Sequence, residues 1–322
     1  MEYRPLGKSG LRVSAIGVGC NNFGMSVDEA ATKVVVDKAL DLGITLFDTA
    51  DIYGQGNSER FLGKALGAKR KDIVLATKFG MVMGEAWNQR GGGARGYIMR
   101  AVEDSLRRLG TDYIDLYQIH QPDSGTPIEE TLRAMGDLVH QGKVRYIGHS
   151  NFAGWQAADA AWTAKVHSFT PFVSAQNRYS LLTRDIEAEL VPACEAHGVS
   201  ILPYFPLESG LLTGKYKPGQ KPPEGTRWAA WSTHAAAYAK QFFSDEMFAR
   251  AGKLQALSDA HGHSMLEMAV GWLLSRNYVA SVIAGATKAE QIVQNVNAAA
   301  WRPSSDEAAK IDEITAPPKR GF

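Results

Sequence analysis

The chain has 322 residues, with 35 Lys and Arg against 34 Asp and Glu, so its formal net charge of +1 offers no global field to draw nucleic acid or an anionic membrane surface. Hydrophobic residues make up 45% and charged residues 21%, a globular balance that excludes a disordered chain and provides for a large core. Two cysteines, Cys20 and Cys194, lack any paired spacing, which excludes a disulfide framework or zinc knuckle; with no apolar signal core and no run near the ~18 apolar residues of a membrane span, a soluble cytoplasmic protein is expected.

From the N-terminus, the first 12 residues, with a turn at GKSG, predict a short hairpin. Eight short apolar, β-branched runs then begin near residues 13, 44, 73, 114, 144, 173, 200 and 281. They are continuously apolar rather than alternating, as strands of a parallel sheet buried on both faces must be.

Helical patterns fill the gaps. Ser26 and Glu29 read as a capping box before Val35, Ala39 and Leu42, with Gly43 as the stop. Ile98, Val102 and Leu106 form a stripe that ends at Gly110. Thr126, Pro127 and Glu129 read as a cap before Leu132, Met135 and Val139, with Gly142 beyond.

Eight such units predict a (β/α)8 TIM barrel, one domain over 1–322, because closing eight parallel strands leaves no unpaired edge. Two connections, about 80 to 97 and about 207 to 248, are long enough to be expected at the functional C-terminal face.

In a barrel the ligand meets the C-terminal ends of the strands. Polar residues follow the apolar runs there: Asp48, Lys78, His120, Ser150 with Asn151, Gln176 and Tyr204. Singly each reads as a cap or solvated end, but a barrel has no structural need for an acid, an ammonium and an imidazole on one rim. Tyr53 lies five residues beyond Asp48, and an ammonium beside a phenol is expected to lower the phenol's pKa, with Asp48 keeping the lysine charged.

FDTADIYGQGNSE, the TK of Lys78, QIHQPD, GHSNF and PYFPLESGLLTGKY, in this order, resemble the aldo-keto reductase superfamily, with its bacterial and channel-β-subunit-like branches nearest. The likeness runs from YRPLGKSGLRVSAIGVG to AGATKAEQIVQNVNA. It implies that Asp48, Tyr53, Lys78 and His120 are the catalytic tetrad: Tyr53 protonates the carbonyl oxygen as hydride arrives from a nicotinamide, and His120 orients the carbonyl.

The resemblance further implies that Ser150, Asn151 and Gln176 hold the carboxamide and that Tyr204 stacks on the ring. Leu207, Ser209, Gly210, Leu211, Gly214 and Lys215 clamp the pyrophosphate, and Gly285, Ala286, Thr287, Lys288, Gln291 and Asn295 hold the adenosine end. Many NADPH-selective relatives carry a basic residue where this chain has Gln291. Lys288 can still meet a 2′-phosphate, so NADP(H) is favoured and NAD(H) stays open. No metal is required.

Two glycine motifs are decoys. Gly17, Gly19 and Gly24 miss the GxGxxG spacing, and GLLTGKY is one residue short of a P-loop. Phe23 and Trp87 are the candidates to line the substrate site, among rim aromatics that include Phe205, Trp228 and Trp231. The leading expectation is a reductase of aldehyde or ketone groups of small molecules, sugars included. The alternatives are a cofactor-sensing regulatory subunit with slow turnover and a Schiff-base aldolase using Lys78.

Overall fold

The computed structural model describes residues 1–84, 91–224, 226, 228–229, 235–240 and 242–316. A hairpin opens it, β1 (Tyr3–Pro5) pairing antiparallel with β2 (Arg12–Ser14) around the expected turn, where Gly7 takes φ +59°. Only glycine fits there, because a Cβ on Gly7 would stand 2.5 Å from the Val173 carbonyl oxygen.

The apolar run from residue 13 divides at Ala15, its first part completing the hairpin and its second forming the first barrel strand. Eight parallel strands follow: β3 (Ile16–Gly19), β4 (Leu46–Asp48), β5 (Val74–Phe79), β6 (Ile114–Ile119), β7 (Val144–Ser150), β8 (Phe172–Arg178), β9 (Ser200–Tyr204) and β10 (Val282–Gly285). The sheet runs β10-β3-β4-β5-β6-β7-β8-β9. Its ends meet where Ile201 bridges Val279, with Ile201 N donating to the Tyr278 oxygen and Ala280 N to the Ile201 oxygen. The architecture is a (β/α)8 TIM barrel with an N-terminal hairpin.

Around the strands lie α1 (Glu29–Asp41), α2 (Asn57–Leu66), α3 (Arg95–Leu109), α4 (Ile128–His140), α5 (Gly154–His167), α6 (Leu190–His197), α7 (Asp245–Ala260), α8 (Met265–Leu274), α9 (Ala289–Ala298) and α10 (Ser305–Thr315). Helix α3 follows its sequence pattern closely: Ile98, Val102 and Leu106 are buried, and Gly110 ends it in the left-handed conformation.

Two expected caps differ. The N-cap of α1 is Asp28, whose carboxylate accepts from Ala31 N at 2.8 Å, and not Ser26; the acidic side chain two residues later lies where the helical amides point. The hydroxyl of Thr126 donates to Asp123 Oδ2 at 2.7 Å, so Pro127 takes the N-cap place of α4 and the helix has no side-chain cap.

The barrel has two apolar regions. Inside its N-terminal half, Leu46, Val74, Ala76, Leu116, Leu202 and Ile283 pack with Leu6 and Val13 of the hairpin, which plugs that end. A larger cluster fills the space between strands and helices. Each such side chain stabilises the fold by roughly 1.5–3 kcal/mol, and together they fix the strand ends where the polar residues stand.

Candidate active site

Strands β4, β5 and β6 carry their polar residues inward just above the apolar plug. Along β5, Val74 and Ala76 face the interior and Lys78 comes next on the same face; along β6, Leu116 is followed by Gln118 and then His120. Lys78 has no exposed surface. Its Nζ donates to Asp48 Oδ2 at 2.5 Å and to the Thr49 carbonyl at 2.9 Å, leaving one of its three donors for the Tyr53 side.

The other oxygen of Asp48 accepts two amides, from Gln118 Nε2 at 3.1 Å and Gln176 Nε2 at 2.9 Å. A buried ion pair is tolerable only when its remaining lone pairs are met in this way. Burial is the largest single influence on Lys78 and lowers its pKa, but the Asp48 carboxylate and the Tyr53 oxygen together raise it by more, so the ammonium is held above its ordinary value.

Tyr53 stands in the turn after β4, half-buried, with the Lys78 ammonium 5.2 Å from its ring centre and the His120 ring edge-on at 5.7 Å. The four groups expected together are thus brought together. The phenol differs from the sequence expectation, however. Burial raises the pKa of Tyr53 by more than Lys78 lowers it, so the group keeps its proton through neutral pH.

Burial first and the Lys78 charge second push the imidazole of His120 down to about 3, so it is neutral and carries one N–H. Its Nδ1 is buried and without a partner among the described residues.

Asn151 ties together the ends of four strands. Its backbone takes φ +61°, its Nδ2 donates to the His120 carbonyl at 2.9 Å, its Oδ1 accepts from the Tyr204 hydroxyl at 2.8 Å, and its N–H donates to the Gln176 oxygen at 3.0 Å. The hydroxyl of Ser150 also donates to that oxygen, at 2.8 Å. Ser150, Asn151, Gln176 and Tyr204 therefore form one connected rim beside the tetrad.

The loop after β9 is strained. Phe205, Glu208 and Ser209 have φ of +51°, +44° and +56°, a region that side chains rarely occupy and that clusters at ligand clamps. Glu208 holds this loop to β8 by accepting from Arg178 at 2.5 Å and from Ser180. Gly210 takes φ +97°, and a Cβ there would stand 2.7 Å from Lys215 Nζ. The buried hydroxyl of Ser209 has no partner among the described residues. Leu207, Ser209, Gly210, Leu211, Gly214 and Lys215 so make a cradle with an uncommitted hydroxyl, bare backbone and an ammonium, which fits a phosphate group.

The adenosine-end candidates lie at β10 and the start of α9. Gln291 folds back on the helix it opens, its Oε1 accepting from Thr287 N at 2.7 Å, Thr287 Oγ1 at 3.2 Å and Lys288 N at 3.3 Å. Gly285, Lys288 and Gln291 are exposed, Thr287 is half-buried, and Asn295 and Ala286 are buried.

Phe23 is 0% exposed and packs in the outer core, so it presents no face to a ligand; its place after the first barrel strand gave no sign that the turn folds inward. Trp87 and Trp231 lie outside the described residues. Trp228 stacks on Phe243 at 4.9 Å and meets Tyr216 at 5.2 Å, which anchors the long loop.

Reading single strand ends overlooked Gln118, although its two-residue offset from His120 puts both on one face. It also overlooked Asp51. That carboxylate is 1% exposed, its polar neighbours are the Ile52 amide and the Tyr97 hydroxyl without a well-formed hydrogen bond to either, and burial followed by the nearby Glu59 raises its pKa to about 7. Glu59 itself is matched, by Arg108 at 2.5 Å and the Thr77 hydroxyl at 2.7 Å.

Among the described residues no group of three or more His, Cys, Asp or Glu is placed to hold a metal ion, and no helix is long and apolar enough to cross a membrane. The family model for the Aldo/keto reductase family matches residues 15–316. A putative voltage-gated potassium channel subunit beta of Schizosaccharomyces pombe is 36% identical over 98% of this chain and 93% of its own. The Bacillus subtilis oxidoreductase YrpG is 37% identical over 92% and 91%. L-glyceraldehyde 3-phosphate reductase of Escherichia coli K12 is 33% identical over 97% and 92%. A barrel whose mouth gathers these four groups, together with a match over nearly the whole chain, establishes that this protein belongs to the aldo/keto reductase family.

Proposed function

We propose that the protein reduces aldehyde or ketone groups of small molecules, sugars among them, to alcohols with NADPH, and that Tyr53 is the general acid. What carries this reading is the gathering of Tyr53, His120 and the buried Lys78–Asp48 pair at the barrel mouth, where burial favours a protonated phenol and a neutral imidazole. When bound, the nicotinamide supplies the hydride.

Tyr53 holds a proton at Oη and gives it to the oxygen on which negative charge develops. The single N–H of His120 orients that oxygen, and Lys78 stabilises the phenolate left behind. Donors fixed beforehand in a site of low dielectric favour the transition state over the substrate. The carboxamide falls to Ser150, Asn151 and Gln176, the ring to Tyr204, the pyrophosphate to the cradle of Ser209, Gly210 and Lys215, and the adenosine end to Thr287, Lys288 and Asn295. With Gln291 occupying the amides of Thr287 and Lys288, Lys288 is the cation left for a 2′-phosphate; NADPH is preferred modestly and NADH is accepted.

Tyr53→Phe tests the assignment: kcat falls by about 10²–10⁴-fold while NADPH affinity stays within about two-fold. An undiminished rate overturns it. The channel-subunit names of several relatives favour a second reading, a cofactor sensor with slow turnover. Nucleotide that co-purifies with the protein and is oxidised only once per binding event would support that reading over the first.

A further inference from the structure

On the flank of the barrel a pocket of about 250 Å³ opens between α5, α6 and the outer side of β7 and β8. Its walls are apolar, from Ala157, Ala161, Ala164, Phe172 and Val199, and Lys165 and His197 stand at its edge. The three alanines recur on one face of α5 and provide the room.

Into this lining β7 sets a histidine. His149 is 1% exposed, and its Nδ1 is buried without a partner among the described residues. The rings of Phe152 and Phe172 pack against it at 4.6 and 5.2 Å but offer the nitrogens nothing. Two residues earlier on the same outward face, Ile147 fills the same kind of space without a polar group. An unpaired imidazole here is costly, since a buried polar group without a partner forfeits its hydration for nothing. Burial keeps the ring neutral, pushing its pKa down to about 3, so it offers one N–H and one bare nitrogen.

A hydroxyl, which both donates and accepts, matches either tautomer. Apolar cavities of about 150 Å³ hold a benzene ring, so a ring or short chain bearing one hydroxyl fits the space. We propose that this flank pocket binds a small aryl or short alkyl alcohol, with His149 as its hydrogen-bonding residue. The pocket is lined from α5, α6 and the neighbouring strands, by residues other than those assigned at the barrel mouth.

NMR titrations with phenol and with toluene, which replaces the hydroxyl by a methyl group of similar size, test the proposal on the intact protein. Both ligands are expected to bind saturably to the native chain. In His149→Leu the phenol-to-toluene preference is expected to fall by about five-fold or more, the loss of one hydrogen bond, while toluene binding is kept. Ala161→Phe, which fills the pocket, should abolish the His149-dependent binding of both, with circular dichroism verifying the fold. No saturable binding, a preference unchanged by His149→Leu, or binding indifferent to Ala161→Phe would overturn the site.

Discussion

The two halves of this barrel are made from the same strands and obey opposite rules. In the N-terminal half, Leu46, Val74, Leu116 and Leu202 pack with one another and with the hairpin residues Leu6 and Val13 in an apolar cluster. One pleat higher, the same strands present Asp48, Lys78 and Gln118 in a matched network, and past it the backbone is strained at Asn151, Phe205, Glu208 and Ser209. The lower half stabilises, and it allows the upper half to hold a buried charge pair and unfavourable backbone. Stability and chemistry are thus separable along a single strand.

Lys78→Met should break that separation most severely. It leaves Asp48 buried and unpaired, at a cost of about 3–5 kcal/mol, and removes the cation beside Tyr53, so chemical denaturation and kcat should both collapse. Leu116→Ala should show the converse. Its two-residue offset from Gln118 is structural only, so stability should drop by about 2–5 kcal/mol while kcat of the folded protein stays within about two-fold.

Asp51→Asn sharpens the comparison through pH. The carboxyl of Asp51 ionises at about 7 in the folded protein against an ordinary value of 3.8. The folded state therefore holds this proton more tightly, and stability is lost as pH rises from about 4 to 7. The amide should raise stability at pH 8 by up to about 4 kcal/mol, taking 1.36 kcal/mol per pKa unit, and have little effect at pH 4; equal unfolding midpoints at pH 8 would contradict this. Gln118→Leu should have the smallest effect. Removing one of two amides on Asp48 should reduce kcat by several-fold with NADPH affinity unchanged, whereas Gln176→Leu should reduce both.

The barrel was legible because eight continuous apolar runs at near-regular spacing admit few other closed arrangements, and the hairpin because GKSG forces a turn. The caps of α1 and α4 were not, since Ser26, Asp28 and Thr126 are all suitable residue types and only the path of the backbone selects among them. The meeting of Asp48, Lys78 and His120 at one rim was legible from their places at strand ends, and that of Tyr53 from its distance beyond Asp48 and the family likeness. The protonation of Tyr53 was not: its direction depends on how far burial exceeds the pull of Lys78, and spacing carries no information about burial. Phe23 was misplaced for the same reason, and Gln118 was overlooked although strand periodicity places it beside His120.

The central claim is that a neutral, protonated Tyr53 supplies the proton. Single-turnover oxidation of bound NADPH on mixing with an aldehyde, followed across pH, tests it directly. A phenol held above its usual value keeps its proton until alkaline pH, so the native rate should be flat from about pH 6 to 9, fall above about pH 10, and be lost in Tyr53→Phe. An inflection near neutrality in the native protein, or the same profile in Tyr53→Phe, would contradict the account.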